Sequence, residues 1–150
     1  MKVLLAIDES EPSEAATRAV LARGPGTEVR ILHVVEPAGI LIPSLLSGAE
    51  MGMWKPAELD ALREARLRKA DALVRRAADT LKKGGLEVVA AVEEGDPRAL
   101  ILDIAADWHP DVIVVGSHGR TGLDRFLLGS VSEAVARHAP CSVEIARVHE

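Results

Sequence analysis

Residues 111–138 read DVIVVGSHGRTGLDRFLLGSVSEAVARH and carry three successive signals of one architecture. The run DVIVV at 111–115 is apolar on both sides of the pleat, which is typical of a buried parallel strand. A glycine-rich turn follows it, and residues 130–138 predict a short helix. A strand, a turn and a helix in this order predict one unit of an α/β domain.

The same alternation extends along the rest of the chain. The expected strands are 2–7, 28–35, 86–92, 111–115 and 142–148, and the expected helices lie in 10–23, 57–83, 97–108 and 130–138. Pro12 and Pro97 suit the first turns of their helices, and Asp96 is a typical N-cap. Strands joined by helices need crossover connections, so the sequence predicts a doubly wound α/β fold with a parallel sheet, as a single domain over 1–150. The first and fourth strands belong inside the sheet, whereas the last, with Glu144 and Arg147, resembles an edge strand.

The long helix 57–83 has one apolar stripe. Positions on the stripe are spaced by three and four residues, and Arg66 falls in line with them through its aliphatic stem: Leu59, Leu62, Ala70, Leu73, Ala77 and Leu81. The eight Lys and Arg and five Asp and Glu of this helix lie mainly off the stripe. We interpret them as a solvated outer face.

Composition excludes several function classes. The chain has 18 Lys and Arg against 23 Asp and Glu, a net charge of −5, so no general attraction for nucleic acid or anionic membrane is expected. Two Trp, one Phe and no Tyr leave little for base stacking. The first apolar run stops at Asp8, which is too short for the core of a signal peptide, and no apolar run is long enough for a membrane helix. Cys141 is the single cysteine, so the chain cannot form an internal disulfide. We therefore expect a soluble cytoplasmic protein.

Glycine placement after the fourth strand predicts a phosphate site. Gly116 and Gly119 allow positive φ and a close backbone approach, so that successive amides can turn around an anion. Gly129 and Ser130 then open a helix whose first amides point at the same space. A second interpretation stays open, because Ser130 with Glu133 also forms a capping-box pattern and the glycines could be plain turn residues.

The pattern G-x-x-G-x9-G-S from Gly116 to Ser130, the Asp8 directly after the first strand and the LHV at 32–34 resemble the ATP-binding branch of the universal stress proteins. The resemblance covers essentially the whole chain. It implies five parallel strands in the order 3-2-1-4-5, a homodimer formed through the last strand, and bound ATP, with Mg²⁺ as a possible companion.

The resemblance also implies the site residues. Ala6, Ile7 and Asp8 would border the adenosine, and Val34 would contact adenine. Val115, Gly116 and Gly119 would line the ribose and phosphates. The phosphate tail would meet the amides and hydroxyls of Gly129, Ser130, Val131 and Ser132.

Other candidate residues have structural alternatives. Asp8 could cap the turn that follows it. His118, Arg120 and Arg125 could meet phosphate or lie at the surface, and His33 is expected to be packed and hydrogen-bonded. Cys141 is expected to be a small buried hydrophobe. The segment 36–56 could be a lid, a partner surface or a collapsed apolar loop.

Catalytic signals are weak. The chain has no GxxxxGK[ST] and no lysine in 84–150, and Asp8 or Ser132 could meet Mg²⁺ only through a phosphate-bound ion. Three functions therefore compete: a regulatory ATP-binding module, a slow ATPase or adenylating enzyme, and a dimerising stress protein that needs no nucleotide. An adenylating enzyme of related fold is expected to have an SGGxDS-type loop after the first strand, where this chain has AIDESEPSE.

Overall fold

Strands and helices alternate throughout the described chain. The computed structural model describes residues 1–37, 55–118 and 128–148. Its strands are β1 (Lys2–Ala6), β2 (Glu28–Val35), β3 (Glu87–Glu94), β4 (Val112–Gly116) and β5 (Ser142–Ala146). Its helices are α1 (Glu11–Leu21), α2 (Pro56–Lys83), α3 (Pro97–Trp108) and α4 (Ser130–His138). The predicted elements are all present, with several ends shifted by one or two residues.

The sheet is parallel and has the order β3-β2-β1-β4-β5, which confirms the expected topology. Ala6 lies opposite Leu32 in β2 and opposite Val115 in β4. The carboxyl ends of these three strands therefore meet at one edge. β1 and β4 are interior and β5 is an edge strand, as their side chains predicted.

Two cores lie on opposite faces of the sheet. Side chains of α1 and α2, such as Val20 and Leu81, pack with Leu5 on one face. Side chains of α3 and α4, such as Ile101 and Val135, pack with Leu4 on the other. Adjacent residues of β1 thus feed different cores, because successive side chains of a strand point to opposite faces. This arrangement confirms the doubly wound fold.

The apolar stripe of α2 is only partly as predicted. Ala70 and Leu81 are buried, but Val74 and Ala78 are also buried, whereas Leu73 and Ala77 are half-buried. The spacing of three and four residues therefore predicted the correct face of α2. The buried positions Val74 and Ala78 each lie one residue after the predicted Leu73 and Ala77. Leu59 and Leu62, near the start of α2, are half-buried as well.

The caps of α1 and α3 are formed by side chains. Ser10 is the N-cap of α1, and its Oγ accepts from the amide of Ser13. Asp96 is the N-cap of α3, and its Oδ1 accepts from the amide of Arg98 at 3.1 Å. At the other end of α3, His109 takes a left-handed conformation with φ of 55°.

Asp96→Ala is expected to lower the free energy of unfolding by about 1 kcal/mol, since α3 loses its cap. Urea denaturation followed by circular dichroism measures this change. Asp107→Ala is the matched control, because Asp107 is an exposed carboxylate in the last turn of the same helix, where negative charge is unfavourable. Equal losses in both variants would contradict a capping role for Asp96.

None of the helices in the described ranges has the length and hydropathy required to cross a bilayer.

Cys141 is half-buried against the core beneath α3 and α4, and burial raises the pKa of its thiol. A raised pKa lowers the thiolate fraction, in line with the expected inert side chain, but Cys141 is half-buried rather than buried as expected.

Candidate functional site

A cleft of about 720 Å³ opens at the carboxyl ends of the central strands. β1 leads into α1 on one face of the sheet and β4 leads towards α4 on the other, so the cleft lies at the topological switch point. Ten of the eleven residues expected at the site line this cleft: Ala6, Ile7, Asp8, Val34, Val115, Gly116, Gly129, Ser130, Val131 and Ser132. The eleventh, Gly119, lies outside the described residues, as do Arg120, Arg125 and positions 38–54 of the 36–56 segment.

Asp8 is fixed by the first turn of α1. Its Oδ1 accepts from the amide of Ser10 at 2.8 Å and from Oγ of Ser13 at 2.9 Å. Its own amide donates to Oγ of Ser13 at 2.8 Å. The capping interpretation of Asp8 is therefore confirmed. Both bonds to the carboxylate use Oδ1, so Oδ2 remains available to the cleft.

His33 joins the ends of β1 and β2. Its Nδ1 lies 2.7 Å from the carbonyl oxygen of Ile7, while the amide of Ile7 donates to the carbonyl of Leu32 at 3.0 Å. A carbonyl oxygen can only accept, so Nδ1 carries the hydrogen. The prediction of a hydrogen-bonded histidine is confirmed, and His33 also lines the cleft.

The opening turn of α4 is organised around the carbonyl of Ser117. This oxygen accepts from the amide of Gly129 and from Oγ of Ser132, both at 2.8 Å. Oγ of Ser132 also donates to the carbonyl of Gly129 at 3.0 Å, and Ser132 is only 2% exposed. The amide of Gly129 and the hydroxyl hydrogen of Ser132 are thus already bound within the protein, contrary to the donor roles expected of them.

The capping box predicted at Ser130 is wrong. Gly129 is the N-cap, without any side-chain cap, and Ser130 is the first helical residue. The amides of Ser130, Val131 and Ser132 consequently stand in the first turn, where α-helical geometry provides no partner. All three residues line the cleft, so this end of the site presents main-chain donors.

The two described glycines of the motif serve close packing rather than positive φ. Neither belongs to the described glycines with positive φ, and Gly129 has φ of −68°. A Cβ on Gly116 would stand 2.8 Å from the carbonyl carbon of Pro12 and 3.0 Å from the amide of Ser13. A Cβ on Gly129 would stand 3.0 Å from Cα of His118. The close backbone approach expected at Gly116 is therefore present, whereas the positive φ is not, and Gly119 lies outside the described residues.

α2 forms a wall of the cleft that the sequence interpretation missed. Arg66, Lys69 and Ala70 line the cleft, and Lys69 forms an ion pair of 3.3 Å with Glu9. Lys69 is largely exposed, in line with the solvated outer face expected for the α2 charges, and it lines the cleft as well. One signal was present, because Arg66 lies on the apolar stripe, where a charged residue is unexpected.

The described residues include no group of three or more His, Cys, Asp or Glu placed to hold a metal ion. The chemistry visible in the cleft is that of amide donors, aliphatic strand ends and the basic residues of α2, together with the carboxylates of Asp8, Glu9 and Glu36 and the imidazoles of His33 and His118. These groups can bind an elongated anion with an apolar end.

Residues 1–147 match the model of the universal stress protein family. The chain belongs to that family. Universal stress protein YxiE of Bacillus subtilis is 32% identical over 149 residues, which cover 97% of this chain and 98% of that protein. Membership confirms the family part of the resemblance, while the ATP-binding branch stays a prediction.

Solved structures share the universal stress protein fold. Hypothetical protein MJ0577 is 28% identical, with a TM-score of 0.82 over 99% of this chain and 96% of that one. A universal stress protein family member from Arabidopsis thaliana, solved with AMP bound, is 20% identical, with a TM-score of 0.68 over 99% of this chain and 92% of that one.

Proposed function

We propose that this protein is a regulatory ATP-binding module of the stress response, acting in the cytoplasm as a homodimer. The observation that carries the proposal is the open first turn of α4 at the switch point of the sheet. The amides of Ser130 and Val131 donate to the phosphates there, and the positive end of the helix dipole favours their negative charge. Backbone donors suit a chain with a net charge of −5, since they need no lysine or arginine.

The adenosine end of the nucleotide lies against the strand ends. Ala6, Ile7 and Val115 supply aliphatic contacts, Val34 meets the adenine, and Oδ2 of Asp8 accepts from a ribose hydroxyl. The AMP bound to the Arabidopsis protein of the same fold is in line with an adenine nucleotide. Gly116 and Gly129 contribute here by letting the elements around the cleft pack closely, and Gly119, which the structure does not describe, stays an expected phosphate contact.

Magnesium, where it accompanies ATP, is held mainly by phosphate oxygens in this proposal. Ser132 is the weaker candidate ligand, because it is only 2% exposed and its hydroxyl is held against the carbonyls of Ser117 and Gly129. Of these two candidates, Oδ2 of Asp8 is then the protein ligand that we propose. Rapid phosphoryl transfer requires metal ligands and a positioned base, and the described residues include no group of three or more His, Cys, Asp or Glu placed for a metal ion.

The homodimer forms through β5 in this proposal. β5 pairs with β4 along one side, which leaves its other side at the edge of the sheet. An unpaired edge of this kind is suited to pairing with another strand.

Isothermal calorimetry with ATP tests the binding. We expect one nucleotide per chain, and light scattering of the same sample is expected to give about twice the 16.0 kDa of one chain. Chromatography of the protein denatured after purification would reveal adenine nucleotide carried through the preparation. Absence of both heat and bound nucleotide would favour the nucleotide-independent stress protein, and steady release of phosphate in Mg²⁺ would favour the ATPase.

A further inference from the structure

The wall of the cleft formed by α2 has one basic residue whose charge is not matched. Lys69 has Glu9 as its partner, and the neighbouring arginines Arg63 and Arg75 are paired with Glu94 and Asp71. Arg66 forms no hydrogen bond, ion pair or ring contact with any described residue. It is half-buried and lines the cleft. Removing a guanidinium from water without a partner is unfavourable, so Arg66 is a candidate to meet a ligand.

The position of α2 separates Arg66 from the opening turn of α4. α2 packs on the face of the sheet that carries Leu5, and α4 packs on the opposite face. α2 also contacts β2 and β3, whereas α4 contacts β5. Phosphates bound by the amides of α4 therefore lie on the far side of the cleft from Arg66. With the phosphates on the amides of α4, as the proposed function has them, the base is the part of the nucleotide directed towards the α2 wall.

The cleft has few flat surfaces on which a base can stack. Trp108 contacts Arg30 and Lys2, and Lys2 begins β1, so this ring lies at the end of the sheet opposite the cleft. Trp54 and Phe126 lie outside the described residues, and the chain has no tyrosine. Among the described residues, no Phe or Trp lines the cleft, and its aromatic rings are the imidazoles of His33 and His118, the first of which is held by the carbonyl of Ile7. A guanidinium is planar, weakly hydrated and stacks on aromatic rings, including nucleic-acid bases.

We infer that Arg66 is a base-positioning residue, whose guanidinium stacks on the purine of the bound nucleotide from the α2 side. The inference rests on the proposed function, since it assumes that a nucleotide occupies the cleft. It assigns the purine two unlike neighbours, the aliphatic end of β2 on one side and a cationic plane on the other. A purine offers more stacking area than a pyrimidine, so Arg66 favours adenine and guanine nucleotides over those of uracil and cytosine.

Dissociation constants of adenosine, AMP and ATP for the full-length protein test the inference. They are measured by calorimetry, with competition against ATP where binding is weak. Arg66→Ala is expected to weaken all three ligands by one common factor of about fivefold to thirtyfold, the range of a cation–π contact in a partly desolvated site. Arg66→Lys keeps the positive charge but lacks the planar guanidinium. We therefore expect it to show most of the affinity loss of Arg66→Ala.

Arg68→Ala is the matched control, because Arg68 lies on the same helix, is exposed and does not line the cleft. Its three dissociation constants are expected to equal those of the wild type. Thermal unfolding without ligand shows whether each variant is folded, and alanine is a good helix former at both positions.

Contrary outcomes separate the two proposals. Nucleotide binding by the wild type with unchanged affinity in Arg66→Ala overturns the inference and leaves the proposed function standing. A loss that grows from adenosine to ATP and is restored by lysine also overturns it, because it would indicate a phosphate contact. No binding by the wild-type protein overturns the proposed function and the inference together.

Discussion

Ser130→Pro is expected to weaken ATP binding by about tenfold to a hundredfold while leaving the protein folded. Proline lacks the N–H that Ser130 places in the open turn of α4, and a hydrogen bond to a charged group contributes about 1.5–3 kcal/mol. Ser130 is the first helical residue, where proline is well tolerated. Gly129 has φ of −68° and ψ of 163°, an extended conformation that suits a residue before proline. Calorimetric titration with ATP measures the loss.

Ser130→Ala is the control for this prediction, because it removes the hydroxyl and keeps the amide. We expect the alanine variant to retain most of the affinity, and far-ultraviolet circular dichroism to show the same helix content in both variants. Equal affinity of the wild type and Ser130→Pro would show that the first amide of α4 is not a phosphate donor.

Gly116→Ala is expected to lower the free energy of unfolding by about 1–3 kcal/mol, the usual cost of forcing an atom into a packed interior. The new Cβ would stand 2.8 Å from both the carbonyl carbon and Cβ of Pro12. Backbone cannot swing aside as the end of a long side chain can, so α1 must move away from β4. That movement would shift Ser13 and thereby Asp8, and ATP affinity is expected to fall as well. Urea denaturation and calorimetry measure the two effects.

Gly129→Ala provides the comparison. Its new Cβ would stand 3.0 Å from Cα of His118, a contact that a shift of a few tenths of an ångström relieves. We therefore expect a smaller loss of stability than at Gly116. The reverse ranking would refute the assignment of Gly116 to the packing of α1 against β4.

The architecture was predictable because its signals are local. DVIVV at 111–115 is apolar on both faces, Asp96 and Pro97 start a helix, and each strand is followed by a helix, so the parallel sheet follows from chain connectivity. The strand order and the residues gathered at the cleft came from the resemblance to a family. Of those residues, the ten that the structure describes do line one cleft.

The contacts that were not predictable join parts of the chain that are distant in sequence. Position 116 has no room for a Cβ because Pro12, more than a hundred positions earlier in the chain, packs against it. No local sequence pattern predicts that contact. Ser13 is only five residues from Asp8, yet the sequence does not predict the hydrogen bond from its Oγ to the Asp8 carboxylate. A serine in the first turn of a helix has many possible partners. Arg66 was visible as a charge on an apolar stripe, and only the tertiary structure shows that this part of α2 extends to the cleft.

The open turn of α4 uses main-chain amides, which limits how substitution or modification of side chains can alter it. Its donors belong to the peptide backbone, so they have no side chain to acetylate or methylate, and they keep the same character from acid to alkaline solution. Every amino acid except proline carries such a donor. A substitution at the exposed position 130, other than by proline, therefore leaves this donor in place, whereas the side chain of Val131 also packs on the core.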